Sequence, residues 1–183
     1  MQRIALLAAA ALLAVPAAAS AAPADPLLDA FRNICVAHTG NYVDTVNAAK
    51  AGGWTEVPVN IPDDPAVAVS SKSAMSLTAD GASLTLVAVT GLQHMKAGDT
   101  PVTSCRIESN KSDADAIGET TAWLGVKPDG GDSSLAYYFM TGSPDHLTHN
   151  TSPTIPPGGL SLIKVQLDSG SAILVDQFFA GKP

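Results

Sequence analysis

Asp80-Gly81 lies between two runs of alternating apolar residues, and this limits the chain more than any other feature. On one side Met75, Leu77 and Ala79 alternate with Ser76 and Thr78. On the other, Leu84, Leu86 and Ala88 occupy every second position. An Asp-Gly pair in that setting is a two-residue hairpin turn. Strands joined so tightly must run antiparallel, because a parallel pair needs a crossover of about a dozen residues or more. A second such unit closes the chain, with 160–167 and 171–179 flanking Asp168-Ser169-Gly170. Residues 102–107 and 135–141 read as two further strands. Val87 and Val89 make the other side of their strand apolar too, which predicts a central strand covered on both faces.

Helical signals lie before and between these strands. Asp25 can cap a helix, with Pro26 at its first position and Leu27, Leu28, Phe31, Ile34 and Cys35 along one stripe. Gly40 breaks that pattern, Asn41 can cap a second helix, and Gly52-Gly53 stops it. Pro58, Pro62 and Pro65 mark 56–66 as an extended connector. Ser112, with Asp115 three residues on, opens a helix over 112–124. Gly125 can take the left-handed closing position. Residues 142–159, with four Pro and three Gly, read as a long loop. The expected fold is α+β: an antiparallel sheet of five to six strands, with an N-terminal helical pair and one further helix packed mainly on one face. It forms one domain over 22–183.

Residues 1–21 read as an export signal rather than as fold. Arg3 supplies the positive start, 4–15 is an apolar run ended by Pro16, and Ala19-Ser20-Ala21 fits the small-x-small cleavage rule. The run is shorter than the ~20 residues a membrane span needs. A periplasmic or secreted location follows, in the style of a bacterial leader. In such an oxidising compartment Cys35 and Cys105 are expected to pair, since no C-x-x-C motif or adjacent His marks either as reactive. The formal charge of −7 gives no electrostatic source for nucleic-acid binding and favours a cationic partner.

Three local patterns stand together. Phe31-x-x-x-Cys35 precedes a short helix ending at Gly53-Trp54, a Cys105 strand leads into Asp113-Ala-Asp-Ala116, and that helix closes as Ala122-Trp123-Leu124-Gly125. Over about residues 31–128 this resembles a group of small, uncharacterised exported proteins of alphaproteobacteria. The resemblance rests on positions of packing type. It agrees with the disulfide and the α+β fold and implies no activity.

Motifs that could carry chemistry are few. His146 and His149, beside Asp145, are candidate ligands for Zn or Cu, although two imidazoles in a Pro-flanked loop fall short of a catalytic set. Leu167-Asp168-Ser169-Gly170-Ser171 matches the catalytic turn of aspartic proteases, yet only 15 residues follow Asp168, and a hairpin wants the same residues. Ser161-x-x-Lys164 has the spacing of a helical Ser/Lys pair, but on a strand it places the two on opposite faces. Neither a Gly-x-Ser-x-Gly elbow nor a phosphate loop occurs. Trp54, Trp123 and Phe179 are either core residues or exposed anchors for a partner. With no catalytic constellation and no cofactor motif, the expected function is a non-enzymatic periplasmic binding or interaction module. The alternatives are a hydrolase assembled from distant segments and metal binding through the 145–149 loop.

Overall fold

Tight links and alternation build one antiparallel sheet. The computed structural model describes residues 25–59, 61, 65–111 and 115–182. Among them nine strands form a single sheet: β1 (Thr55–Val57), β2 (Val67–Ala79), β3 (Ala82–Met95), β4 (Gly98–Ser109), β5 (Gly130–Gly131), β6 (Leu135–Ser143), β7 (His146–His149), β8 (Leu160–Asp168) and β9 (Ser171–Phe179). Their lateral order is β1-β2-β3-β4-β9-β8-β6-β5, with β7 also paired to β6. Every pairing is antiparallel. The last strand therefore sits near the middle, between β4 and β8.

Register places the large apolar side chains in lateral rows on one face. Met75, Leu86, Ile107, Leu174, Val165 and Ala136 lie opposite one another across six strands. All six are buried. The helices cover this face. Helix α1 (Pro26–Ala30) starts at Asp25, whose carboxylate accepts the Leu27 N–H at 3.0 Å, with Pro26 at the first position. It runs on into a π-wound segment, Phe31–Val36, which buries Phe31, Ile34, Cys35 and Val36. Helix α2 (Tyr42–Ala51) is capped by Asn41, and α3 (Ala116–Leu124) closes on Gly125 at φ +68°. Cys35 and Cys105 form a disulfide that ties the π-wound segment to β4. Both residues lie inside the core.

Several elements differ from the sequence reading, and β1 and β5 are short strands it did not expect. Strand β2 begins at Val67, and β3 runs on to Met95 before turning through Lys96-Ala97 into β4. These extensions are polar or exposed on one side, so alternation is weak there. Strand β7 lies inside the expected 142–159 loop, because Ser143 and His146 pair across Pro144-Asp145. The helices cover one face only, so Val87 and Val89 are half-buried rather than enclosed. The expected Ser112 cap and export signal lie outside the described residues. Among the described residues no helix is long and apolar enough to cross a membrane.

Candidate functional site

The two loop histidines diverge. On β7 they sit three residues apart, so they project to opposite faces of the strand. His146 is exposed. His149 is largely buried, with Nε2 2.9 Å from Asp129 Oδ1, while Asp129 Oδ2 accepts the Phe139 N–H at 2.7 Å. Among the described residues no three His, Cys, Asp or Glu side chains converge on a common point. Of the aromatic candidates, Trp54 and Phe179 are buried. Trp123 is half-buried, edge-on to Phe31 at 6.2 Å, with the Arg32 guanidinium 5.4 Å above its ring. It packs on the helix side of the molecule.

The most perturbed carboxyl is Asp176 on β9. It is enclosed between Ile163 on β8 and Cys105 on β4. The Thr39 hydroxyl donates to Oδ2, and Thr39 lies 3.3 Å from the Ser161 hydroxyl. Oδ1 finds no hydrogen-bond partner among the described residues. Burial pushes this carboxyl up to about 7, and the neighbouring Ser161 hydroxyl offsets part of that rise. A Ser–Asp contact of this kind needs an imidazole to become a hydrolytic set. The nearest histidine on the lateral row of Ser161 is His149, two strands away beyond Met140. Two strand spacings are roughly 10 Å, well beyond a hydrogen bond. The Asp176 and His149 clusters are thus separate, and Asp176 is shut in the core.

The opposite face of the sheet is open and has a different chemistry. Its rows, read along β3, change in character. Val87, Arg106, Val175 and Lys164 lie side by side on β3, β4, β9 and β8. The next row holds Val89, Ser104 and Gln177, and beyond it Val69 and Val102 flank Gly91. Gly91 carries no side chain, and the Ala68 carbonyl approaches so closely that a Cβ would lie 2.3 Å from it. Finally the Gln177 amide donates to Gln93 at 3.1 Å, closing the far end. Ile61 of the Pro-rich connector also lines this face. The result is a trough of about 390 Å³ with a valine floor.

Its charges are unequal. Arg106 is held by Glu108 at 2.5 Å on the same strand. Lys164 forms no ion pair among the described residues. On an acidic chain this leaves one uncompensated cation at one end of an apolar floor. Sequence reasoning met these residues singly: Val87 and Val89 as a second apolar face, and Lys164 as the partner of Ser161. The strand does send that pair apart, Ser161 towards Thr39 and Lys164 into the trough. Arg106 carried no local signal of the trough, because its cross-strand neighbours Val87 and Val175 are 19 and 69 residues away in the chain and meet it only through register. No family model, curated protein or solved structure matches the chain.

Proposed function

We propose that this protein is an exported, non-enzymatic binding module, and that its ligand lies in the trough on the open face of the sheet. The observation that carries this reading is the trough itself: a valine floor spanning β2, β3, β4 and β9, with two cationic side chains at one end. Small-molecule sites have this make-up, mostly apolar lining with a few placed polar groups, and volumes of about 300–1,000 Å³. Export is supported by the leader-like residues 1–21 and by the Cys35–Cys105 bridge. The overall negative charge favours a cationic partner for the rest of the surface, whereas this face suits an anionic group.

Native mass spectrometry of the chain recovered from the compartment it is exported to tests the reading. A bound small molecule is expected, and it should be lost when Val89→Asp and Val175→Asp are introduced together. A bare chain in every preparation, with nothing taken up from an extract of envelope components, would refute it.

A further inference from the structure

We infer that the ligand of the trough is a single-chain amphiphile with a carboxylate head, of the fatty-acid type, its head on Lys164 and its chain along the valines towards Gln93. This rests on the open-face reading above and narrows it to one chemistry. Four observations converge on it. The floor carries valines on three successive rows of the sheet, Val87 and Val175 in the first, Val89 in the second beside Ser104 and Gln177, and Val69 and Val102 in the third. Val87 to Gln93 spans six residues of β3, about 20 Å at the usual strand rise.

The charged side chains that line the trough are confined to one end. Arg106 and Lys164 share the first row, while Gln177 in the second reaches forward to Gln93 two rows beyond it. An amphiphile has the same polarity, charged at one end and apolar along its body. The charge count then selects the head group. Glu108 already pairs with Arg106, so of the two cations that line the trough Lys164 is the one without a carboxylate partner among the described residues. One negative charge balances it, which favours a carboxylate over a phosphate monoester carrying close to two. A half-buried ammonium beside valines sits in a lower dielectric than water, so the pairing gains strength there.

Titration of the disulfide-bonded chain with dodecanoate, below its micelle-forming concentration, tests the proposal by calorimetry. Dodecanol and vesicles of anionic phospholipid serve as comparison probes. Saturable one-to-one binding of dodecanoate is expected, with dodecanol about tenfold weaker. Lys164→Met, which keeps the apolar stem, should weaken dodecanoate about tenfold and leave dodecanol unchanged, as loss of one charge-assisted contact implies. Val89→Asp should abolish binding of both, and Val175→Thr gives a milder second variant should Val89→Asp unfold the chain. Equal binding of dodecanol and dodecanoate, lost in Val89→Asp, overturns the carboxylate assignment and leaves the open-face reading standing. Dodecanoate binding that survives both valine variants overturns the two together. Binding to vesicles but not to free dodecanoate overturns the proposal in favour of a membrane surface.

Discussion

Asp176 is the residue at which burial and chemistry conflict most. Its carboxyl lies in the core with one oxygen unpartnered among the described residues, and an ionised carboxylate there is costly. The neutral acid is the form the site favours, so the folded-state value rises to about 7 from the ordinary aspartate value of 3.8. The sign of the stability effect follows. Between those values the folded chain holds a proton that the unfolded chain has released, so stability is full below about pH 4 and declines towards pH 7. Above that the group is ionised in both states and contributes no further slope. Asp176→Asn keeps the shape and cannot ionise. It should therefore flatten this part of the curve, by about 4 kcal/mol between its ends. Urea unfolding at closely spaced pH values, on both chains, measures it; parallel curves would refute the assignment. Nothing local in the sequence marks Asp176. It reads as a polar residue in an alternating strand, and its burial comes from Thr39 and Ser161, each remote in the chain.

Elements with strong local chemistry were legible, and those defined by pairing were not. Asp25-Pro26, Asn41 and Gly125 begin or end helices where capping and left-handed geometry require them. The Asp80-Gly81 turn has φ +49° and +71° at its two residues, as a two-residue hairpin of that type needs. The Met95–Gly98 turn and the short β7 lack such a signature and exist because neighbouring strands supply partners. The disulfide joins two of these elements. It closes a loop of 70 residues between the π-wound segment and β4. In the chain-entropy model such a loop stabilises by roughly 4 kcal/mol. Cys35→Ala with Cys105→Ala should lower the unfolding free energy by about that amount, with a smaller further cost for the lost packing of two buried sulfurs. Chemical denaturation with and without reductant checks it. Reductant should move the native chain towards the double variant and leave that variant where it is. A native chain indifferent to reductant would mean the bridge contributes nothing.

At the scale of the whole molecule, strand order governs both the trough and the way the chain folds. Alternation along each strand was readable, which is why the α+β class and the antiparallel sheet could be expected. Lateral order was not readable, because it depends on which distant strands meet. The return of β9 to lie between β4 and β8 is the decisive step. It brings Val175 beside Arg106 and Lys164, and so creates the row on which the proposed site depends. It also places Leu174 and Ala172 in the core. Without β9, β4 and β8 would each present a long unpaired edge, and the two halves of the sheet would share no ladder. Ending the chain at residue 170 should therefore unfold the domain rather than trim it, even with Cys35 and Cys105 still joined. The disulfide spans α1–π and β4 and cannot replace the ladder between β4 and β8. Limited proteolysis and far-UV circular dichroism of the shortened chain provide the check. Rapid cleavage throughout and loss of cooperative melting are expected. A resistant core with a sharp transition would show that the β1–β4 half folds by itself, and that β9 is an addition to the sheet rather than its centre.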